Sequence, residues 1–579
     1  MKKSEKNYLL IPILFFLLYN ILTAQIIIFP QTPDWESSDV SNVSTGLGIA
    51  DINQDDWEDI VIANGNDIYR QKLVVYYNNG DGTFPQSPSW QSGDIDYHGH
   101  LSIGDVNGDN LPDVAVSVFL GPAGFSEAGY AKVYFNQGTE LESVPSFVTA
   151  DSMFTFSCAL GDADGDGDLD LAVAGGQPYS IGIGPYITQG RIYYNENGVL
   201  DSLPGWKSHK FMGALDVEFA DFDNNGFLDL VFACELTPNY IYMADDRGSI
   251  STHPSWQSLD STEFANSLCI ANIDNNNYLD LIISDNNQLG GSGKFKSYLF
   301  SAPPAGKTAP GWESQTGGYG SAIIAEDLTN DNETDLLAGR WWDDIKFYPG
   351  TSTSFSNHPT WVSGTFSVTE AFAMRDLDKD GYSNITDTIF VDLDSIHVVY
   401  LSKTNMERIS SVFKNGQPLL PSLDYCSVSG GAWLSVKTPL VNSDELIIQY
   451  SISNDRDLIV TNWDSNKGNY IFYNQTNISQ MQTGIKQSKD FKIEISPNPF
   501  NQNCVFKFYL PAREKLKLDI FDLTGRKIKS FYLQNAQAGL NKLIWNGKDN
   551  SGISVGSGSY FYRINVNNNY FSGKLILIK

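Results

Sequence analysis

The sequence predicts an all-β protein: a seven-bladed β-propeller with a small β insertion in blade 7, followed by a C-terminal Ig-like β-sandwich. Three observations carry this prediction. An acidic motif recurs seven times at intervals of 49 to 59 residues, an aromatic motif recurs in phase with it, and the C-terminal residues alternate between apolar and polar side chains. The 50 glycines and the aromatic content of 13 % also suit a fold rich in strands and tight turns.

The composition limits the functions that the chain can have. Its 579 residues include 68 acidic and 38 basic side chains, which gives a formal net charge of −30. A nucleic-acid partner is excluded, because this charge would repel the phosphate backbone. Since 41 % of the residues are hydrophobic, the chain can form packed cores and is not disordered as a whole. An acidic excess in a structured chain favours bound cations.

The N-terminus predicts export. Three lysines among the first six residues precede an apolar run over 9–22 and the small residue Ala24, which is the pattern of a signal peptide spanning 1–24. The apolar run is shorter than the ~20 residues that a membrane span needs, so an uncleaved anchor is the less favoured alternative. We therefore expect a mature chain that is secreted or at the cell surface and has no membrane span.

The acidic motif reads D-x-[DN]-x-[DN]-x-x-x-D. Side-chain oxygens at positions one, three, five and nine, with a backbone carbonyl at position seven, suit a hard cation such as Ca²⁺. An EF-hand is excluded, because its twelfth residue is usually Glu, whereas Ile62 or Val173 stands there within a β-branched strand. The motif therefore predicts several Ca²⁺ ions, up to one per blade.

The candidate metal ligands differ in number from loop to loop. They are Asp51, Asn53, Asp55 and Asp59; Asp105, Asn107, Asp109 and Asp113; Asp162, Asp164, Asp166 and Asp170; Asp221, Asp223, Asn225 and Asp229; Asp274 and Asp280; Asp327, Asp331 and Asp335; and Asp376, Asp378, Asp380 and Asp457. The loop at 162 is the fullest and the loop at 272 the weakest. In the seventh loop, the ninth ligand is either Asp457 or a local pair, Asn384 and Asp387. For any single loop, a solvated turn is the alternative.

The aromatic motif P-x-W-x-S lies 15 or 16 residues before each acidic loop. Its aromatic residues are Trp35, Trp90, Phe147, Trp206, Trp256, Trp312 and Trp361. Side chains that recur so strictly are expected to pack between blades rather than to serve as sugar platforms.

Each repeat reads as four short strands: one before the acidic loop, one after it, an aromatic strand, and the P-x-W-x-S strand. This organisation predicts propeller blades. The chain begins with half a unit at 26–39, and the strands that the seventh unit lacks appear at 455–477. We therefore expect 26–39 to pair with 468–474, which would close the ring and remove an exposed sheet edge. Residues 385–454 are then a small β insertion, with one hairpin predicted at Asn415-Gly416.

These repeats resemble FG-GAP or VCBS-type repeats, the family that forms the propeller of integrin α chains. The resemblance covers 25–384 and 455–477 and rests on the acidic loop, its flanking strands and their common phase. It implies a propeller stabilised by calcium.

Residues 491–579 form a separate region behind a polar linker at 478–490. Their alternating pattern predicts a β-sandwich. The region resembles the C-terminal sorting domain of type IX secretion substrates. The matching elements are Pro497-Asn498-Pro499-Phe500, Asp522 with Gly525-Arg526, Trp545-Asn546-Gly547 and Gly558-Ser559-Tyr560-Phe561-Tyr562. The resemblance implies passage across the outer membrane with the type IX secretion machinery as partner; an ordinary Ig-like module is the alternative.

No catalytic motif stands out: the six histidines do not form HExxH, and no Walker loop is present. The favoured function is a binding or adhesion module for a glycan or protein, without enzymatic activity. A carbohydrate-active enzyme, either a polysaccharide lyase or a glycosidase, is the alternative. The ligand surface is expected on the face opposite the acidic loops, because variable loops on a rigid scaffold usually carry recognition. Its candidate residues are Phe125, Tyr130, Tyr179, Tyr186, Trp341 and Trp342.

Overall fold

The computed structural model describes residues 29–578 except 177–187, 261–262, 289, 465, 475–492, 497–499, 502, 511–513, 522–525, 537–538, 551 and 567–568. The chain divides after residue 477 into two compact units. The predicted signal peptide, the linker, Tyr179, Tyr186, Pro497 to Pro499, Asp522 and Gly525 lie outside the described residues. Within the described part, no helix is long and apolar enough to cross a membrane.

The first unit is a seven-bladed propeller, and β1 (Trp35–Glu36) is its first strand in the chain. Blades 1 and 2 consist of β2 (Ser44–Ala50), β3 (Asp59–Asn64), β4 (Val74–Tyr76) and β5 (Trp90–Gln91), then β6 (His98–Gly104), β7 (Asp113–Leu120), β8 (Ala128–Tyr134) and β9 (Phe147–Val148). A 3₁₀ helix, Gly124–Ser126, lies between β7 and β8. Blades 3 and 4 consist of β10 (Ser157–Gly161), β11 (Asp170–Ala174), β12 (Arg191–Tyr193) and β13 (Trp206–Lys207), then β14 (Ala214–Ala220), β15 (Asp229–Cys234), β16 (Tyr240–Tyr242) and β17 (Trp256–Gln257).

Blades 5 to 7 continue the same order. They consist of β18 (Ala265–Ala271), β19 (Asp280–Asp285), β20 (Phe295–Tyr298) and β21 (Trp312–Glu313), then β22 (Tyr319–Glu326), β23 (Asp335–Asp343), β24 (Lys346–Tyr348) and β27 (Trp361–Val362), then β28 (Ser367–Arg375), β36 (Asp457–Asn462), β37 (Tyr470–Phe472) and β1. A small hairpin in blade 6 contains β25 (Gly350–Thr351) and β26 (Ser354–Phe355). The second strand of blades 1 to 5 is buried at every residue, and most of its side chains after the first aspartate are apolar.

The ring closes through the N-terminal strand. Strand β1 pairs antiparallel with β37, with Trp35 opposite Ile471 and Glu36 opposite Tyr470. The predicted pairing of 26–39 with 468–474 is therefore confirmed. A second junction was not expected: β23 extends beyond blade 6 and pairs with β28 of blade 7 at Trp341 and Val368. These pairings tie blades 6 and 7 into one eight-stranded sheet.

The recurring aromatic residues pack between neighbouring blades, as predicted. In five of the seven cases, the ring of the outer strand meets, edge to face, an aromatic ring on the third strand of the next blade. Such pairs, with centroid separations of 5.4–6.1 Å, are Trp35–Tyr76, Trp206–Tyr242, Trp256–Tyr298, Trp312–Tyr348 and Trp361–Phe472. The aromatic motif therefore holds the ring together from blade to blade.

The insertion is a small two-sheet β domain. Its strands are β29 (Tyr382–Phe390), β30 (Ile396–Tyr400), β31 (Met406–Lys414), β32 (Gln417–Leu419), β33 (Tyr425–Cys426), β34 (Trp433–Leu440) and β35 (Glu445–Ser453). The sheets have the orders β29-β35-β31-β32 and β30-β34-β33. Asn415 and Gly416 join β31 to β32 with φ of 51° and 76°, so the predicted hairpin turn is present.

The second unit is a β-sandwich. The strands are β38 (Ile493–Ser496), β39 (Cys504–Leu510), β40 (Glu514–Phe521), β41 (Lys527–Ala536), β42 (Gly539–Trp545), β43 (Gly558–Val566) and β44 (Asn569–Leu577). They form two sheets with the orders β38-β39-β42 and β41-β40-β43-β44. Trp545 is fully buried between Phe500 and Tyr560, at centroid distances of 5.4 and 5.1 Å. The predicted fold class is confirmed for both units.

Candidate functional site

The ninth residue of every acidic loop is a buried aspartate that joins its loop to the third strand. One carboxylate oxygen accepts the N–H of the second loop residue, and the other accepts an N–H at the end of the third strand. In blade 3, Asp170 accepts these bonds from Ala163 at 2.8 Å and from Asn195 at 2.7 Å. The same pair of bonds, at 2.7–3.0 Å, forms at Asp59, Asp113, Asp170, Asp229, Asp280, Asp335 and Asp457. This carboxylate therefore organises each blade whether or not it also binds a metal.

Glycine and asparagine recur at the fourth and sixth loop positions because the backbone there is left-handed. Gly165 and Gly167 have φ of 78° and 89°, a region that costs energy for residues with a Cβ. This conformation directs the N–H groups of both glycines to the carboxylate of Asp162, at 2.8 and 3.0 Å. The first ligand position is thereby held in place.

Three of the seven loops bring three carboxylates together. In each, the carboxylate oxygens lie within 4.8 Å of one another. These groups are Asp162, Asp164 and Asp170; Asp221, Asp223 and Asp229; and Asp376, Asp378 and Asp380. In the loops of blades 1 and 2 an asparagine stands at the third position, so an amide replaces one carboxylate. Such all-oxygen sets are the ligands that hard divalent cations prefer.

Burial makes these carboxylates costly to ionise without a cation. Burial and the neighbouring carboxylates raise the pKa of Asp162 to about 7 and that of Asp164 to about 6. A bound cation would offset this repulsion, so the residues present fit a metal site.

The seventh loop takes its ninth residue from beyond the insertion. Asp457 accepts the N–H of Leu377 at 2.9 Å, as its counterparts do in the other blades. Asp387 instead lies in β29 and accepts hydrogen bonds from Ser402 and Tyr450 within the insertion. Of the two alternatives for this loop, the structure shows the arrangement with Asp457.

The insertion lies on the face that carries the acidic loops. Ser435 donates to Asp162 at 2.6 Å, Tyr400 accepts the N–H of Asp221 at 3.0 Å, and Ser422 donates to Asp105. Arg408 pairs with Asp56 at 3.0 Å. The insertion thus contacts the acidic loops of blades 1 to 4.

A turn of the insertion also reaches the inner strands that surround the channel. Ser429 bonds to Ile103 of blade 2 and Ile49 of blade 1, and it accepts a bond from Arg375 of blade 7. This end of the central channel is therefore covered.

The opposite end of the channel contains a cavity of about 370 Å³. Its lining comes from all seven blades and includes five aromatic residues, Phe125, Phe156, Phe264, Trp341 and Trp463. Carboxylates reach it from Asp67, Glu235 and Glu370, an imidazole from His100, and amides from Asn66, Asn266, Asn286 and Gln288. A cavity of this size and mixed lining is typical of a small-ligand site.

Glu235 follows β15 and is the most isolated charge of the cavity. Only 5 % of the residue is exposed, and its Oε2 has no hydrogen-bond partner among the residues that the structure describes. Burial raises the pKa of this carboxyl to about 8. A buried carboxylate oxygen that lacks a partner is costly in a folded protein.

His100 and Glu370 form a second polar group in the cavity. Glu370 accepts the indole N–H of Trp341 at 2.5 Å, and burial raises its pKa to about 7. His100 lies 3.4 Å from Asp216. Burial disfavours the imidazolium, but the hydrogen bond and charge of Asp216 raise the pKa of His100 overall. Asp216 also accepts bonds from Ser157 and Leu268, so it ties four blades together near the axis.

The structure places the predicted ligand-surface residues differently. Phe125 and Trp341 line the cavity, and Trp342 is half exposed beside Trp341. Tyr130 is not part of the lining; it lies in β8 and donates to Asp96 at 3.0 Å. Tyr179 and Tyr186 lie outside the described residues.

Two exposed aromatic residues near the junction of blades 6 and 7 have unusual backbone conformations. Trp342 has φ of 53° with 50 % of its surface exposed, and Phe366 has φ of 42° with 61 % exposed. Bulky residues rarely adopt positive φ, and such strain concentrates at functional sites. Tyr319 contacts Trp342 edge to face at 5.4 Å, which extends an aromatic rim.

Sequence reasoning missed most of the cavity. Glu235, Glu370, Phe264 and Trp463 occupy positions without a recurring motif, so no local signal marked them. Their positions within the repeat were an available signal. Glu235 and Trp463 directly follow the second strand of a blade, and Phe264 and Glu370 lie at the start of the first strand or within it.

Two family models match parts of the chain. A model described as FG-GAP-like repeat matches residues 51–116, and one described as FlgD Ig-like domain matches residues 500–569. The first match covers the acidic loops of blades 1 and 2, and the second covers most of the β-sandwich. No curated protein matches the chain in sequence.

Similar solved structures are remote. A structure of BBS1N in complex with ARL6DN, soaked with mercury, is 12 % identical over 60 % of this chain and 91 % of that chain, with a TM-score of 0.40. The lead-soaked form of the same complex is 11 % identical over 60 % of this chain and 92 % of that chain, with a TM-score of 0.38. PorZ of Porphyromonas gingivalis, described as an essential bacterial surface component of the type-IX secretion system, is 13 % identical over 92 % of this chain, with a TM-score of 0.31. This chain covers 65 % of the PorZ chain. At these values the similarity assigns no function.

Proposed function

We propose that this protein is a secreted or cell-surface β-propeller that binds calcium and acts as a binding or adhesion module for an extracellular glycan or protein. The difference between the two channel ends carries this proposal. The insertion covers the end with the acidic loops, whereas the other end has a cavity lined by aromatic, amide and carboxylate side chains. We therefore expect the ligand to bind at the cavity end, in contact with the aromatic rim around Trp342.

Calcium is the proposed ion for the acidic loops. Support comes from the three groups of converging carboxylates and from the match of residues 51–116 to the FG-GAP-like repeat. When bound, the ion supplies positive charge that offsets carboxylate repulsion. The chain's own residues hold each loop ready through the backbone bonds to the first and ninth aspartates.

Export across the outer membrane is the proposed role of 491–579. The match of 500–569 to an Ig-like domain and the resemblance to type IX sorting domains support it. The type IX secretion machinery is then the partner of this unit.

An enzyme acting on a polysaccharide is the second candidate. His100 and Glu370 place titratable groups in the cavity, both with a raised pKa, and such groups are frequent in active sites. We propose binding without catalysis as the primary function and test for turnover on every ligand found.

The experiment screens the mature chain against a glycan array and against extracellular proteins. The double variant Phe125→Ala/Trp342→Ala removes one cavity residue and one rim residue, and we expect it to weaken binding at least about tenfold. The matched control is Phe390→Ala, which removes a residue of the insertion that is 70 % exposed.

Unchanged binding by the double variant, with loss in insertion variants, would place recognition on the acidic-loop face instead. Appearance of new reducing or unsaturated chain ends on a bound polysaccharide would favour the enzyme. Melting curves of all variants show whether a loss of binding reflects unfolding.

A further inference from the structure

We propose that the cavity binds an organic cation, namely an ammonium or guanidinium group on an aliphatic stem, with Glu235 as its counter-ion. This inference deepens the proposed function and rests on the same site. It is argued from the partner that Glu235 lacks, from the charges of the lining, and from the aromatic surface around them.

Glu235 needs a donor that the described residues do not provide. Its Oε2 has no hydrogen-bond partner, although the residue is 95 % removed from solvent and lines the cavity. The backbone at this point is well fixed, since the N–H of Glu235 bonds to Gly213 at 2.7 Å. The residue is thus held at the cavity wall with one carboxylate oxygen that lacks a donor, and a ligand donor that reached it would remove a desolvation cost.

The lining has an excess of negative groups. Three of its side chains are carboxylates, and the described lining includes no lysine or arginine. The segments of the propeller that the structure does not describe, 25–28, 177–187, 261–262, 289, 465 and 475–477, also contain no lysine or arginine. The one imidazole, on His100, already faces Asp216. An anionic ligand would oppose the ionisation of these carboxyl groups, whereas a cation would favour it.

The aromatic lining favours an organic cation over a bare metal ion. Five aromatic side chains contribute to the walls, and the faces of aromatic rings attract ammonium and guanidinium groups. The same rings also bury an aliphatic stem. Trp463 adds an indole N–H without a partner, which suits a ligand that carries a carbonyl near its cation, such as a lysine or arginine residue of a polypeptide.

A neutral sugar fits less well. Its hydroxyl groups could donate to Glu235, but they would not offset the charge that this carboxylate carries when it is ionised. A buried charge is stabilised best by an opposite charge with hydrogen bonds. The volume of about 370 Å³ is at the small end for ligand sites, which suits one extended side chain.

The test measures binding to the full chain by calorimetry and tryptophan fluorescence at pH 9, where Glu235 is ionised. The probes are n-butylammonium, spermidine, N-acetyl-lysine methylamide and N-acetyl-arginine methylamide. The neutral comparisons are n-butanol and glucose. We expect the cations to bind and the neutral probes not to bind measurably.

Glu235→Gln should weaken cation binding about 10- to 100-fold. The matched control is Glu313→Gln, which changes an exposed glutamate on the outer strand of blade 5 that does not line the cavity, and it should leave binding within about twofold. Preference for the two amino-acid probes over butylammonium and spermidine would identify a polypeptide as the source of the cation.

Two results would overturn the inference: equal binding of glucose and butylammonium, or cation binding that Glu235→Gln leaves unchanged. In either case, retained binding of a glycan or protein through Phe125 and Trp342 would leave the proposed function intact. Conversely, cation binding without any macromolecular ligand would contradict the proposed function alone.

Discussion

Buried carboxylates have two different roles in this protein, and the hydrogen bonds that each accepts decide which. The ninth aspartate of each loop, such as Asp170, accepts two backbone N–H groups and organises its blade. Glu235 is just as buried but has one oxygen without a partner. The first kind of carboxylate is satisfied within the fold, whereas the second is suited to binding a ligand.

The pKa of Glu235 predicts a pH dependence of stability. Its pKa is raised by burial from 4.5 to about 8, so between these pH values the folded state holds a proton that the unfolded state has lost. The contribution of Glu235 to the free energy of unfolding is therefore most favourable below about pH 4.5, and it is lost as the pH rises to about 8. Glu235→Gln cannot ionise, and we expect its free energy of unfolding to exceed that of the natural protein by about 2 to 4 kcal/mol at pH 9, but not at pH 4.5.

Urea unfolding at several pH values, without added ligand, measures this difference. Glu313→Gln, which changes an exposed surface residue paired with a partly exposed lysine, is the control and should give a nearly constant difference. A difference for Glu235→Gln that does not change with pH would contradict the raised pKa.

At the scale of elements, the acidic loop recurs in all seven blades with the same backbone bonds but with different candidate ligands. Its backbone is nearly constant, since the ninth aspartate makes the same two bonds in every blade. Its carboxylates vary: three converge in blades 3, 4 and 7, whereas the loop of blade 5 begins with Asn272. Metal affinity is therefore expected to differ between blades although their shapes agree.

Metal removal tests this expectation. Asp164 and Asp274 both stand third in their loops, but Asp164 has two carboxylate neighbours within 4.8 Å. We expect a chelator to lower the melting temperature of the natural protein. Asp164→Ala should reduce the stabilisation by calcium, and Asp274→Ala should leave it nearly unchanged. At a calcium concentration of 100 times the dissociation constant, one site contributes about 2.7 kcal/mol.

Differential scanning calorimetry with calcium and with excess chelator provides the measurement. Identical melting curves in the two conditions would show that the loops are solvated turns. Equal losses in both variants would show instead that the third position does not determine affinity.

At the scale of the whole molecule, the chain consists of two compact units that divide after residue 477. The propeller closes on itself through β1 and β37, and its core does not require the C-terminal sandwich, which has its own core around Trp545. Each unit is therefore expected to fold without the other.

Deletion of 491–579 uses this independence to test export. We expect the truncated chain to keep the melting temperature and calcium dependence of the propeller but to accumulate in the periplasm. Cell fractionation and surface proteolysis of the producing bacterium measure the location, and Phe390→Ala in the full chain serves as the export control. Normal surface delivery of the truncated chain would contradict a sorting role.

The sequence by itself determined what repeats. The four strands of each blade, the acidic loops, the aromatic packing and the closure by Trp35 all follow from local patterns with a fixed phase, because each pattern is set by strand alternation or turn chemistry within a few residues. Tertiary structure alone decided what does not repeat. The docking of the insertion on the acidic loops, the junction of β23 with β28, and the cavity around Glu235 each depend on residues far apart in the chain. Such contacts arise from packing between blades, which leaves no local signal in the sequence.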